Sequence, residues 1–161
     1  MTNSDSGGDG GPARTHPALT DPHTGLANSL HFDLVFNYIF EAGNRGLPFT
    51  VMLVSAGTDD TSPDSLIRDI GRQIHQTTRT TDLVSHMGGG RFVVCLLGTN
   101  LPGGRIAADR IDLALSGVAP GATCFGLAAY AAGIEDSRAL LQMAETALLA
   151  AQASGGGVGF A

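Results

Sequence analysis

Positive charge is sparse in this chain. Nine Lys and Arg residues against fifteen Asp and Glu leave a net charge of −6 over 161 residues. Nothing basic is dense enough to neutralise a run of phosphates, which argues against a nucleic-acid groove and leaves room for a small anion held by a few arginines. Long apolar runs are absent too. No stretch approaches the roughly 18 residues of a membrane span and no signal peptide is visible, so a cytoplasmic protein without membrane contact is expected. Cysteine is scarce: Cys95 and Cys124 are the only two. Both sit in strand-like apolar runs without C-x-x-C spacing, which predicts buried free thiols in a reducing compartment rather than a disulfide or metal pair. The five histidines, His16, His23, His31, His75 and His86, show no ligand spacing such as H-x-x-x-H. They carry no metal signal and are read as surface or tail residues.

What is present fits one domain with a real core: 43% of residues are hydrophobic and 15% charged. Residues 1–18 read as a disordered N-terminal tail, because Met1 to about Thr15 is rich in Gly, Ser, Asp and Asn and cannot bury enough apolar surface to order itself. Residues 19–161 form the domain. Phe32, Val35, Phe36, Ile39 and Phe40 recur at helical spacing within Leu30 to Asn44, with Gly43 and Gly46 marking the end. Phe49 to Ser55, after Pro48, suits a buried strand. Ser62-Pro63-Asp64 opens a helix with Leu66, Ile67, Ile70 and Ile74 on one face. Asp82 to Met87 and Arg91 to Leu97 read as two strands joined across Gly88-Gly89-Gly90. Gly103 to Leu115 is expected as a helix, Gly121 to Tyr130 as a strand, Ser137 to Ala153 as a helix packing Leu140, Leu141, Ala144, Ala147 and Leu148 on the sheet, and Val158 to Phe160 as a last short strand. The alternation predicts an α/β (α+β) domain without internal repeats.

The stretch from Arg79 to Phe92 is the most informative. It resembles the signature hairpin of the GGDEF family, the bacterial diguanylate cyclase domain, with the Asp-Glu of the signature replaced by Gly90-Arg91 and the regulatory R-x-x-D motif intact at Arg79 and Asp82. Asp21-Pro22-His23-Thr24-Gly25-Leu26-Ala27-Asn28-Ser29 keeps most of the family's opening D-x-L-T-G-L-x-N-R. Here Asp and Asn oxygens are expected to bond turn amides and Gly25 to take a positive φ. Ala144 to Gln152 with Gly155-Gly156-Gly157-Val158 is similar to the closing motif. The resemblance implies a GGDEF, nucleotidyl cyclase-like single domain, a central and mostly antiparallel sheet of about five strands flanked by helices.

The same resemblance implies that catalysis is lost. A diguanylate cyclase joins two GTP molecules by attack of a ribose 3′-hydroxyl on an α-phosphate, with divalent metal neutralising the phosphates. The first metal carboxylate of the family falls at Ser55 and the second at Gly90. The phosphate-gripping Lys falls at Gln152 and the following Arg at Gly156. A stretch is missing after Gly57 that in the family carries a guanine-reading Asn. Asp64 aligns with the second guanine-reading acid, but a helix N-cap role is at least as well motivated. No cofactor and no Mg2+ are expected. Asp59 and Asp60 are read as a solvated loop, and Arg91 as a surface salt bridge in preference to a phosphate contact.

What survives is the family's product site, which maps onto Arg79, Asp82 and Arg110 and suits cyclic di-GMP. Arg79 can fork onto a phosphate or a guanine edge, Asp82 can accept from guanine N1–H and N2–H, and Arg110 can bond or stack on a base. Beside this stands a structural reading, in which Arg79 and Asp82 form a local salt bridge or Asp82 ties the loop. The expected function is a catalytically inactive GGDEF-type receptor for cyclic di-GMP in bacterial second-messenger signalling, working with a protein partner or a second copy of the domain. The alternatives are a ligand-free interaction scaffold and, last, a GTP-binding regulator that does not cyclise.

Overall fold

Caps and turn residues set where each element starts, and the computed structural model describes residues 16–161. Most of the tail expected over residues 1–18 lies outside the described residues, and a 3-10 turn, Pro17–Leu19, stands just ahead of the expected domain boundary. In the loop that follows, Asp21 Oδ2 accepts from Thr24 N at 2.8 Å and from Thr24 Oγ1 at 2.7 Å. Gly25 takes φ 74°, which residues with a Cβ rarely adopt. Asn28 closes the loop as the N-cap of α1 (Ser29–Gly43), its Oδ1 accepting from His31 N at 3.0 Å. Both bonds are those the opening motif predicts.

β1 (Phe49–Ser55) is buried along its length except at Ser55. α2 (Asp64–Thr77) begins after Pro63, which offers no side-chain cap. Asp64 is therefore the first helical residue and not the N-cap. Its carboxylate faces the positive end of the helix and lies 3.2 Å from His23 Nδ1. β2 (Leu83–Gly88) and β3 (Arg91–Leu97) form the expected hairpin, turning at Gly89-Gly90. α3 (Leu101–Leu115) is capped by Asn100, β4 (Cys124–Ala129) is shorter than its apolar run because both ends pass into turns, α4 (Ser137–Ala153) is capped by Asp136, and β5 (Gly157–Phe160) ends the chain.

The sheet runs β2-β3-β1-β4-β5, antiparallel throughout except for the parallel β4–β5 pair. Because successive side chains of a strand point to opposite faces, β1 serves two cores. Val51 and Leu53 pack with Phe32, Phe36, Phe40, Leu140 and Leu148 under α1 and α4. Met52 and Val54 pack with Ile67, Ile70, Ile74, Phe92, Ile111 and Leu115 under α2 and α3. α4 lies close on the sheet because two strand positions have no side chain: a Cβ on Gly126 would strike the Ala144 carbonyl oxygen, and one on Gly159 the Ala147 carbonyl oxygen. Both cysteines are free and buried, and burial pushes the Cys95 thiol up to about 12 and raises that of Cys124. Among the described residues no helix is long and apolar enough to cross a membrane.

Candidate functional site

Two regions need to be built up, one at the end of β1 and one between α2 and α3. Ser55 ends β1, paired with Arg91 on one side and Cys124 on the other. Beside it the hairpin turn is held to β1 by Ala56 N donating to Gly90 O at 3.0 Å. Gly90 is buried, and a Cβ there would fall on Thr58 Oγ1 and sit 2.9 Å from Thr58 O. The space that a side chain at this position would use is filled by the shortened loop after β1. Gly89 is crowded in the same way, its missing Cβ 3.3 Å from Asp59 Cα.

Most of the polar side chains here are engaged within the protein, although Thr58 Oγ1 is buried without a hydrogen-bond partner. Gln152 Nε2, from the end of α4, donates to Ser55 Oγ at 3.3 Å. Arg91 Nη2 meets Glu145 Oε1 at 2.5 Å, the salt bridge favoured for it. Asp59 Oδ1 accepts from Thr61 N at 2.8 Å and from Thr61 Oγ1 at 2.6 Å, and these bonds hold its carboxyl below the ordinary value. Gly156 turns the chain from α4 into β5 at φ 131°, where a phosphate-binding Arg side chain is implied by the resemblance. A divalent cation of the Mg2+ type asks for charged oxygens in octahedral array. The region offers a hydroxyl already bonded to an amide, a glycine with no side chain and a cation at Arg91, so its residues do not fit that metal. Among the described residues no group of three or more His, Cys, Asp or Glu side chains is placed to hold a metal ion.

The hairpin also holds an unexpected element. His86 was expected at the surface, but it is 4% exposed, its ring tilted at 39° against Phe92 with centroids 4.9 Å apart. Burial of a polar ring requires partners. Nε2 lies 2.8 Å from the Gly89 carbonyl oxygen, and Nδ1 lies 3.0 Å from Asp21 Oδ2, a charge contact off the in-line geometry of a hydrogen bond. The Gly89 carbonyl cannot donate, so Nε2 carries the hydrogen of that bond. Asp21 answers in kind. Burial raises its carboxyl, but the Thr24 hydrogen bonds and the charge of His86 outweigh this and leave it below the ordinary value. His31 is the second histidine misplaced by the surface reading, since its Nδ1 is buried without a hydrogen-bond partner.

The second region is a cavity of about 190 Å3 where the end of α2 and the end of β3 meet the start of α3. Arg79, Asp82 and Arg110 all line it, with Thr99, Ile106 and Gly103 between them. Asp82 Oδ2 accepts from Arg79 N at 3.0 Å and Oδ1 from Leu97 N at 3.2 Å, tying the turn after α2 to the end of β3. The carboxylate thus binds the backbone of Arg79 and not its side chain, and the local salt bridge considered for this pair is not formed. Among the described residues the guanidinium groups of Arg79 and Arg110 are both exposed and make no ion pair or hydrogen bond. The R-x-x-D pair and the sequence-remote Arg110 are brought to one wall, and the two arginines retain their full donor capacity.

Comparison with known proteins sets this geometry in context. Residues 60–157 match the family model described as "Diguanylate cyclase, GGDEF domain". No curated protein matches the sequence. Among solved structures, the GGDEF domain of DgcB from Caulobacter crescentus, in complex with c-di-GMP, superposes with a TM-score of 0.79 at 20% identity, covering 91% of this chain and 97% of that one. The diguanylate cyclase SiaD of Pseudomonas aeruginosa, in complex with its activator SiaC, gives 0.75 at 22% identity, covering 86% of this chain and 59% of that one. The FimX GGDEF domain of Pseudomonas aeruginosa gives 0.74 at 16% identity, covering 88% and 97%.

Proposed function

Because the chain belongs to the GGDEF family of diguanylate cyclase domains, we propose that it is a non-catalytic member that receives cyclic di-GMP at Arg79, Asp82 and Arg110. The observation that carries this reading is the contrast between a filled region and an open one. Ser55, Gly90, Gln152 and Gly156 supply no charged ligand for metal or triphosphate, and Thr58 takes up the space at Gly90. Arg79 and Arg110 face one cavity with unpaired guanidinium groups beside the Asp82 carboxylate.

The recognition chemistry follows from the donor inventory. Each guanidinium presents five N–H donors in a planar fork suited to a phosphate or to the O6/N7 edge of guanine. Asp82 uses one lone pair of each oxygen on Arg79 N and Leu97 N and keeps the others for the guanine N1–H and N2–H donors. Ligand bound here grips the turn after α2 and the body of α3 together. It changes partner choice only insofar as the partner-bound and free states differ in affinity for it. In this reading the domain works in the bacterial cytoplasm, with a partner protein or a second copy supplying the output.

Isothermal titration calorimetry of the full chain with cyclic di-GMP, alongside GTP plus Mg2+, tests the reading. Saturable binding of the dinucleotide at micromolar concentration or below, without GTP binding or turnover, is expected. Absence of dinucleotide binding, or formation of cyclic di-GMP from GTP, overturns it. One observation favours a second reading as an interaction scaffold: Leu30, Leu34 and Tyr38 are 53%, 58% and 83% exposed along one line of α1. Silence with both nucleotides, together with an interaction abolished by Leu34→Glu, selects that reading.

A further inference from the structure

A cavity of about 530 Å3 lies on the other side of Asp82, between α2, the loop before α1 and the first residues of β2. Its size falls in the range of about 300–1,000 Å3 common for small-molecule sites. Leu26, Ala27, Leu83 and Val84 form an apolar floor. Arg68, Arg72 and His75 line it from α2 at spacings of four and three, which place all three on one helical face. The wall opposite is pressed in against Gly71, where a Cβ would meet Leu26 Cδ1 and Phe92 Cε1, both at 3.2 Å.

The polar groups of this cavity are incompletely used. Arg68 spends only Nε on the His23 carbonyl oxygen, at 3.3 Å, and Arg72 spends Nη1 on the neighbouring Asp69, at 3.4 Å. His75 makes no contact with an acid, and His31 Nδ1 is a buried ring nitrogen in the lining without a partner.

We propose that this cavity is a second ligand site, adjoining the dinucleotide cleft across Asp82, which lines both, for an organic phosphate that carries an apolar ring. The phosphate sits at the rim on Arg68, Arg72 and His75, where several N–H donors converge. The ring lies on the aliphatic floor, with a polar edge toward His31. A bare anion would leave the floor uncovered, and an uncharged ring would leave the rim unused.

Adenosine 5′-monophosphate, adenosine and inorganic phosphate, each titrated into the full chain and followed by amide NMR, separate these contributions. The monophosphate is expected to bind saturably and at least tenfold more tightly than either half alone, shifting Ala27, Leu83 and Val84. Arg72→Gln with His75→Gln, both exposed positions, is expected to weaken it at least tenfold. Arg110→Ala is expected to leave it unchanged while weakening cyclic di-GMP, so this site and the dinucleotide cleft fail or stand separately. Absence of saturable binding, phosphate binding as tightly as the nucleotide, or indifference to the Arg72 and His75 changes overturns the proposal.

Discussion

The end of β1 and the cleft between α2 and α3 are the two regions in which the family resemblance implies ligand contacts, yet they dispose of their polar groups in different ways. At the end of β1, Ser55 is bonded to Gln152, Arg91 to Glu145, and the space over Gly90 is filled by Thr58. In the cleft, the guanidinium groups of Arg79 and Arg110 make no hydrogen bond or ion pair among the described residues, and of the three residues Asp82 alone is engaged through its side chain, by backbone amides. A polar group already satisfied by the protein gains little from a ligand, because each new hydrogen bond replaces an old one. An unpaired guanidinium exchanges only water, so its interaction energy is available for binding. Ligand competence is thus legible in the hydrogen-bond accounting of a region, independently of whether its signature residues look familiar.

The severest way to break this contrast is to put the acids back. Ser55→Asp with Gly90→Asp returns both carboxylates, but the new side chain at 90 must displace Thr58. Overpacking of this kind costs about 1–3 kcal/mol. Urea denaturation is expected to report that loss, with Thr58→Gly recovering much of it, and no cyclase product is expected. Unaltered stability in the double variant would mean that the region is not filled in the sense argued above.

In the cleft, Arg79→Ala removes one charge-assisted contact, worth roughly 1.5–3 kcal/mol. This corresponds to about ten- to a hundredfold in cyclic di-GMP affinity. Since the guanidinium makes no hydrogen bond or ion pair among the described residues, the unfolding free energy is expected to move by less than about 0.5 kcal/mol. Calorimetry and denaturation of the same sample check both halves, and a stability loss larger than the binding loss would make Arg79 a structural residue.

Asp21 sharpens the contrast from the other side, as an ionised group the fold itself consumes. Its carboxyl lies below the ordinary value, so its contribution is fully present above the unfolded-state value of about 3.9 and is lost as pH falls through the lower folded-state value. Asp21→Asn is expected to be less stable than the parent at pH 7, with the gap narrowing toward pH 3 in thermal melts. A gap independent of pH would remove the charge from the account. The smallest effect belongs to Arg91→Ala. The pair with Glu145 is 47% and 33% exposed, so its loss is expected to cost under about 1 kcal/mol and to fade in high salt.

Much of the fold was readable in advance for local reasons. Phe49–Ser55 and Ser137–Ala153 fall where their apolar patterns place them, because strand burial and helix periodicity are written in neighbouring residues. Arg79, Asp82 and Arg110 could be grouped only through the family resemblance, since no spacing rule brings the turn after α2 to the middle of α3. His86 was misjudged because a polar residue in a strand reads as solvent-facing unless its partners are known, and Asp21 comes from the opposite end of the sequence. Thr58 gave no signal at all. Its role depends on the path of a loop whose shortening is visible but whose course is not.

The His86 ring has a mechanical consequence. It joins the Asp21 turn to the Gly89 carbonyl, and the adjacent main chain adds His86 N donating to Ala27 O at 3.0 Å. The segment leading into α1 and the tip of the hairpin are therefore fastened to each other across the sheet edge. A displacement of the Asp21 turn is thereby transmitted to Gly89 through the His86 ring, which is itself seated on Phe92 at the edge of the core.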